Sequence, residues 1–141
     1  MIEFLDSSAV VKRYVSEPGS AAVRRLCAHA DVAVSRIAYA EVACALARAC
    51  REGVLDEGTR DRLLDQLGVD IDAFQIVELR RSIVERTRPL AIRHALRGYD
   101  AVQLASAIAV HERGPSLRFW SADARLVAAA RSEGLRASVP A

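Results

Sequence analysis

Short runs of apolar residues alternate along this chain with longer segments in which apolar positions recur at helical spacing. The first run, Ile2–Leu5, stops at Asp6 and two serines, and its Ile, Phe and Leu are typical of a strand buried on both faces. Further runs predict strands at Val32–Val34, Phe74–Val77 and Leu117–Trp120, and a short edge strand at Leu135–Val139. The segments between them predict helices at 9–15, 20–30, 37–51, about 56–67, 82–95, about 99–111 and 124–132. This alternation indicates an α/β fold, with a central parallel sheet of four or five short strands flanked by helices on both faces.

Several residues are expected to set the ends of these helices. Ser7 or Ser8 is suited to cap the helix at 9–15, and Gly53 to end the helix at 37–51. Pro89 is expected to kink or interrupt the helix at 82–95, and Gly98 to break the helical pattern again.

Length and composition limit the class of protein. The 141 residues fit one domain, 1–141, and a hydrophobic content of 52% provides for a sizeable core. No apolar run approaches the ~18 residues of a membrane helix. The N-terminus also lacks the basic and apolar segments of a signal peptide, so we expect a cytoplasmic protein without membrane contact.

The charged and sulfur-containing residues, taken by themselves, give little indication of function. A formal net charge of +2 is too small to indicate nucleic-acid binding. Lys12 is the only lysine, and the arginines used elsewhere suit phosphates, but a GC-rich genome explains this usage better. Cys27, Cys44 and Cys50 form no CxxC pair and are expected to be small buried residues.

Four acids have surroundings that differ from those of ordinary surface charges. Asp6 follows the first strand, and Asp123 stands in the equivalent corner after the strand that ends at Trp120. Glu41 lies near the start of the helix after the second strand, and Asp100 begins the most apolar helix. Because strand ends and helix beginnings share one edge of a parallel sheet, all four can face one crevice.

Each acid also has a simpler explanation. Asp100 and Asp123 are suited to be helix N-caps, and Glu41 to favour the positive end of its helix. If the acids do converge, two carboxylates ~4 Å apart repel by about 4 kcal/mol at an effective dielectric near 20. Such a cluster selects a cation, and oxygen ligands without His or Cys suit Mg²⁺ or Mn²⁺ rather than zinc.

Several short motifs, taken together in order and spacing, resemble the PIN-domain ribonucleases, and specifically toxins of the VapC type. The motifs are Phe4-Leu5-Asp6-Ser7-Ser8-Ala9 with Lys12-Arg13-Tyr14, Glu17-Pro18-Gly19-Ser20, Ala38-Tyr39-Ala40-Glu41-Val42, Arg97-Gly98-Tyr99-Asp100-Ala101, and Ser121-Ala122-Asp123. The resemblance covers nearly the whole chain. It implies a metal-dependent endoribonuclease that acts as the toxin of a type II toxin–antitoxin system.

The resemblance also implies roles for individual residues. Asp6, Glu41 and Asp100 match the core acidic positions, and Asp123 matches a fourth, more variable one. Asp6 and Asp100 would be the most direct ligands of Mg²⁺ or Mn²⁺, while Glu41 and Asp123 would complete the shell, act through water or hold a second ion. Ser8 matches a position where a hydroxyl supports the site.

The resemblance also bears on one unusual position, on the substrate and on the partners. Gln103 stands where related toxins often carry His. The resemblance implies structured RNA such as tRNA or rRNA as substrate, an antitoxin that inserts a segment along the active-site groove, a homodimer, and a higher assembly with the antitoxin. Arg13, Arg36 and Arg97 flank the motifs and are either phosphate contacts or ordinary surface arginines.

Two other functions stay open at this point. The first is a catalytically silent PIN-fold module that binds RNA or a protein partner, for which loss of a core acid would be the sign. The second is a DNA nuclease of the related flap type, although such enzymes carry more acids and additional DNA-binding elements than this chain has room for.

Overall fold

The computed structural model describes residues 1–141 and contains one five-stranded parallel sheet. The strands are β1 (Ile2–Leu5), β2 (Asp31–Ser35), β3 (Gln75–Val77), β4 (Leu117–Trp120) and β5 (Arg136–Ser138), in the spatial order β3-β2-β1-β4-β5. The helices are α1 (Ser7–Val10), α2 (Ser20–His29), α3 (Ile37–Arg51), α4 (Glu57–Ala73), α5 (Arg81–His94), α6 (Gly98–His111) and α7 (Ala124–Ser132). The predicted α/β architecture is therefore confirmed.

Strand β1 is the centre of the sheet and is buried on both faces, as its apolar run predicts. Phe4 packs into one hydrophobic cluster with residues of α5, α6 and α7, and its ring stacks on that of Phe119 with centroids 5.8 Å apart. Leu5 points to the other face and joins a second cluster with residues of α1 to α4, including Leu46 of α3. Because successive strand residues face opposite ways, two neighbouring residues tie both helical layers to one strand.

The first helix differs from its prediction. It spans only Ser7–Val10 and continues as a 3₁₀ turn over Val11–Arg13, rather than forming one helix at 9–15. Neither serine caps it: the N-cap is Asp6, whose carboxylate accepts a hydrogen bond from the Ala9 amide. The acid is the stronger acceptor for this amide, which leaves the serine hydroxyls free to make other contacts.

Three other helix predictions need correction. Helix α4 runs beyond Leu67 to Ala73, because the polar Asp70 on its inner side finds partners there. Helix α5 continues through Pro89, which lies at an exposed position, so this proline does not interrupt the helix. Gly98 starts α6 instead of breaking the pattern, and the break lies before it, at Ala95 with a φ of 51°.

The cysteines and the helices settle two further points. Cys44 is exposed and Cys27 and Cys50 are half-buried, so the prediction that all three are buried is wrong. All three are free thiols. None of the helices combines the length and the apolar character needed to cross a bilayer.

Candidate active site

The carboxyl edge of the sheet opens into a cavity of about 340 Å³, and all four predicted acids line it. Asp6 follows β1, Glu41 lies in the second turn of α3 after β2, Asp100 lies in the first turn of α6, and Asp123 precedes α7 after β4. The parallel sheet thus gathers residues from distant parts of the chain. We call this cavity the acidic pocket.

Asp6 is the most buried of these acids, with 4% of its surface exposed. Its Oδ1 accepts hydrogen bonds from the Ala9 amide at 2.9 Å and from the Ser8 hydroxyl at 2.7 Å. Burial raises the pKa of Asp6 to about 6, although hydrogen bonds from Ser121, Ser8 and Ala9 favour its ionised form. No basic side chain pairs with it, so its charge is uncompensated within the protein.

Asp100 is half-buried and its carboxylate accepts no hydrogen bond from the protein. The explanation that it caps α6 is wrong, because the N-cap of that helix is Arg97. Burial is the main cause that raises the pKa of Asp100, and the nearby charges of Asp123 and Glu41 raise it further. Arg97 and Arg125 act in the opposite direction without cancelling these effects.

Glu41 is held in place by two donors. The Ser7 hydroxyl donates to its Oε1 at 2.8 Å, and Nε2 of Gln103 donates to the same oxygen at 3.0 Å. Gln103 Nε2 also donates to the Ser7 hydroxyl at 2.8 Å, which closes a triangle of hydrogen bonds. The triangle fixes one carboxylate oxygen and leaves Oε2 of Glu41 without a protein donor.

Gln103, the position that departs from the family pattern, is a buried member of this triangle. It is 2% exposed, and its amide oxygen is buried without a hydrogen-bond partner. Both amide protons are used on Glu41 and Ser7. Its role here is thus to donate hydrogen bonds, which a histidine ring N–H at the same position can also do.

Asp123 lines the acidic pocket and is also the N-cap of α7. It is exposed, and its Oδ1 accepts a hydrogen bond from the Arg125 amide at 2.8 Å, as a helix N-cap does. The Asp123 amide donates to the Ser121 hydroxyl at 3.0 Å, and that hydroxyl lies 3.3 Å from the hydroxyl of Ser8. A chain of hydroxyls therefore connects the corner after β4 to Asp6.

The three arginines proposed as phosphate contacts have different surroundings. Arg97 lines the acidic pocket. Arg13 instead donates to Asp70 from Nε at 2.6 Å and from Nη2 at 3.1 Å, and Arg36 is paired with Glu78. Neither of the latter two lines the pocket, so the structure places only Arg97 beside the acids.

Sequence reasoning missed several residues of the pocket. Arg125 and Tyr99 line it, and Ser7 donates to Glu41. Tyr99 and Arg125 had only their nearness to the motif acids as a signal, and Ser7 was interpreted as a helix cap. Their contribution depends on side-chain directions that spacing does not give.

A larger cavity, of about 600 Å³, lies elsewhere, among β3, α5 and the end of α6. Its two acids, Glu78 and Glu112, are each paired with an arginine. It therefore lacks the uncompensated carboxylates that distinguish the acidic pocket, and size alone does not make it the chemical site.

The donors of the acidic pocket suit a divalent cation. The lining contains carboxylates and serine hydroxyls but no His or Cys, and hard oxygen donors favour Mg²⁺ or Mn²⁺. No three His, Cys, Asp or Glu side chains stand close enough together to enclose an ion. An open site of this kind fits Mg²⁺, which typically takes one or two carboxylates and keeps several waters.

Comparison with known proteins gives consistent results. The family model of the PIN domain matches residues 4–132. Ribonuclease VapC45 and Ribonuclease VapC49, both from Mycobacterium tuberculosis, are each 39% identical over 138 residues, which is 94% of this chain and 92% of the relative.

Solved structures share the fold at lower identity. PAE2754 from Pyrobaculum aerophilum superimposes with a TM-score of 0.71 at 20% identity, over 97% of this chain and 89% of that chain. A toxin–antitoxin complex from Klebsiella pneumoniae gives a TM-score of 0.60 at 19% identity, over 86% of both chains. With the family model and the two relatives, these findings show that the chain belongs to the PIN-domain family, among relatives of the VapC type.

Proposed function

We propose that this protein is a Mg²⁺- or Mn²⁺-dependent endoribonuclease, the toxin of a toxin–antitoxin pair, which hydrolyses phosphodiester bonds in structured RNA such as tRNA or rRNA. The observation that carries the proposal is the acidic pocket, where four carboxylates from distant parts of the chain line one cavity and the most buried one has no cationic partner. The relatives at 39% identity are named ribonucleases, which supports phosphodiester hydrolysis over other carboxylate chemistry.

The residues of the pocket have distinct roles in this proposal. Asp6 and Asp100 make the direct metal contacts, and Glu41 and Asp123 complete the shell through water or with a second ion. A bound divalent ion polarises the phosphodiester and lowers the pKa of a coordinated water. Ser8 holds Asp6 through its 2.7 Å hydrogen bond.

Two arginines are the positively charged residues that line the pocket. Arg97 and Arg125 line it beside the acids, where each can face a substrate phosphate. Neither forms an ion pair with a carboxylate of the protein, so both guanidinium groups can pair with a phosphate. This arrangement supports an anionic substrate in spite of the surrounding carboxylates.

The decisive experiment replaces Asp6 and Asp100 singly with Asn. Asn keeps the size of the side chain but removes the negative charge, so we expect RNA cleavage to fall by at least about 100-fold in each variant while the fold stays intact. Asp65→Asn is the matched control, because Asp65 is an exposed acid of α4 away from the pocket. Cleavage at wild-type rates in both Asp6→Asn and Asp100→Asn, or full activity in excess EDTA, would eliminate the proposed metal chemistry.

We further propose that the whole chain, 1–141, forms one PIN domain that acts on cytoplasmic RNA, is a homodimer and binds a cognate antitoxin in a higher assembly. The likeness to a toxin–antitoxin complex supports the antitoxin partner. Light scattering tests the dimer, and calorimetric titration with the product of a neighbouring short reading frame tests the antitoxin. A monomer at all concentrations, or no heat of binding, would count against the respective claim.

The alternative of a catalytically silent module makes a clear prediction about the site. It requires loss of a core acid, whereas Asp6, Glu41 and Asp100 are all present and all line the pocket. The absence of both Mn²⁺ binding and RNA cleavage in the purified protein would revive it.

A further inference from the structure

A second groove adjoins the acidic pocket along the outer face of α3. It encloses about 570 Å³ and shares two lining residues, Glu41 and Tyr99, with the acidic pocket. Its far end is lined by Arg48 and Arg51, in the last turns of the same helix. The two cavities therefore form one continuous path that leads from the carboxylates to a basic end.

The charges of this groove are distributed unevenly. Glu41 is its only acid, and it lies at the junction with the acidic pocket. Arg48 and Arg51 are exposed, and neither forms an ion pair or a side-chain hydrogen bond. Six other arginines of the protein, such as Arg86, are paired with a carboxylate. Unpaired guanidinium groups at one end of a groove that starts at a phosphodiester-cleaving site are complementary to a polyanion.

The spacing along α3 suits an extended strand. At 1.5 Å of rise per residue, Arg48 lies about 10 Å and Arg51 about 15 Å beyond Glu41 along the helix axis. These separations span a few nucleotides. Arginine contacts at such intervals position a nucleic-acid backbone without reading its sequence.

Tyr99 supplies the second component that single-stranded nucleic acids need. Tyr99 lines both cavities and is 43% exposed, so part of its surface is accessible to a base. Its hydroxyl accepts a hydrogen bond from Arg97 Nη1 at 3.2 Å, which restrains the ring. Stacking of unpaired bases on aromatic rings beside a basic groove is the usual way of binding single strands.

We propose that this groove binds the single-stranded segment of RNA that flanks the scissile phosphate, with a base stacked on Tyr99 and backbone phosphates on Arg48 and Arg51. The inference rests on the proposed ribonuclease function and extends it to a defined substrate path. A loop of a structured RNA meets the requirement, because its unstacked bases are accessible to an aromatic side chain.

The test measures binding of a fluorescein-labelled single-stranded RNA of about 12 nucleotides to the Asp6→Asn protein over a series of KCl concentrations. In this background, Arg48→Gln/Arg51→Gln is compared with Arg25→Gln/Arg136→Gln, a pair of exposed, unpaired arginines away from the groove. Loss of two phosphate contacts lowers the slope of log K against log salt by about 1.4 in magnitude, since each contact to a single strand contributes about 0.7. The control pair leaves the slope unchanged.

Tyr99 is tested in the same assay. We expect Tyr99→Ala to bind RNA at least about fivefold more weakly, whereas Tyr99→Phe, which keeps the ring, binds within about twofold of the parent. In the cleaving enzyme, the Arg48→Gln/Arg51→Gln change raises KM and leaves kcat largely intact. Thermal unfolding of both arginine pairs accounts separately for any loss of helix-dipole stabilisation in α3.

The outcomes separate this inference from the proposed function. If the Arg48→Gln/Arg51→Gln variant has the same RNA affinity, salt slope and KM as the Arg25→Gln/Arg136→Gln control, the groove assignment is overturned even if cleavage depends on Asp6. The same holds if the groove changes weaken antitoxin binding alone. RNA binding with the expected slope but no metal-dependent cleavage would support the groove and refute the ribonuclease.

Discussion

Replacing Asp6 with Asn should stabilise the metal-free protein. Burial raises the pKa of this carboxyl from an ordinary 3.8 to about 6. At 1.36 kcal/mol for each pH unit, this difference means that ionised Asp6 destabilises the fold by roughly 3 kcal/mol at neutral pH. Asn removes the charge but keeps an oxygen that can accept the hydrogen bonds from Ser8 and Ala9. Because its amide protons need partners in a buried site, we expect a net gain of about 1–3 kcal/mol.

The pH dependence gives the sign of the effect. Below pH 3.8, Asp6 is protonated in both the folded and the unfolded protein, so its charge has no effect on stability. Between pH 3.8 and about 6 the unfolded chain releases this proton while the folded protein retains it, and the free energy of unfolding falls as the pH rises. Above about 6 the full penalty is present. The advantage of Asp6→Asn over wild type should therefore grow from acid to neutral pH and then level off.

Thermal unfolding in EDTA at a series of pH values measures this difference. For a chain of this size, 1 kcal/mol corresponds to about 3 °C, so Asp6→Asn should melt about 3–9 °C above wild type at pH near 8. Asp65→Asn, the exposed control, should show no pH-dependent difference. Mg²⁺ should stabilise the wild type by about 2.7 kcal/mol at a concentration 100 times its Kd, and the variant by much less. If Asp6→Asn melts at or below the wild-type temperature at every pH, the uncompensated charge that we assign to the pocket does not exist.

Three further predictions concern neighbouring groups. Gln103→Leu removes the only side-chain amide that donates to Glu41, so Mn²⁺ affinity by calorimetry should fall about 10-fold, while Gln103→His should retain it because a ring N–H can donate; equal affinity in both variants would contradict this. Asp123→Asn keeps the oxygen that caps α7 and should unfold in urea within about 0.5 kcal/mol of wild type, whereas Asp123→Ala should lose about 1 kcal/mol. Burial alone raises the pKa of Asp70, but hydrogen bonds led by that from Arg13 outweigh it and lower the pKa below its usual value. Asp70→Ala should therefore cost about 3 kcal/mol at neutral pH, a difference in urea unfolding that shrinks as the pH falls below about 4; a constant difference would refute the charge argument.

The strands and the acidic pocket could be predicted from the sequence because both depend on short-range pattern and topology. The runs Ile2–Leu5 and Leu117–Trp120 match β1 and β4 as predicted, since short, mostly apolar runs are typical of strands in a parallel sheet covered by helices. Once the strands are parallel, the residues after them share an edge, which places Asp6 and Asp123 beside one pocket.

One error concerns a buried acid with partners far away in the chain. The predicted helix ends near Leu67, whereas α4 continues to Ala73 and carries the buried Asp70. In the structure, the carboxylate accepts hydrogen bonds from Arg13, Tyr14 and Gln66, so a helix can bury it. The local sequence around 67–73 does not predict that Arg13, in the turn that follows α1, pairs with Asp70.

The arginines show the same limit most clearly. Arg13, Arg36 and Arg97 flank the family motifs in the sequence, and this nearness made them equal candidates for contact with the substrate. Their side chains are long, and each guanidinium goes to the most available carboxylate within reach, which is Asp70 for Arg13 and Glu78 for Arg36. An arginine remains free for a ligand only where no carboxylate is geometrically able to pair with it. Spatial pairing, which the fold determines, therefore decides which arginines can bind a ligand, whereas position at a strand end or near a helix beginning was enough to predict which acids line the pocket.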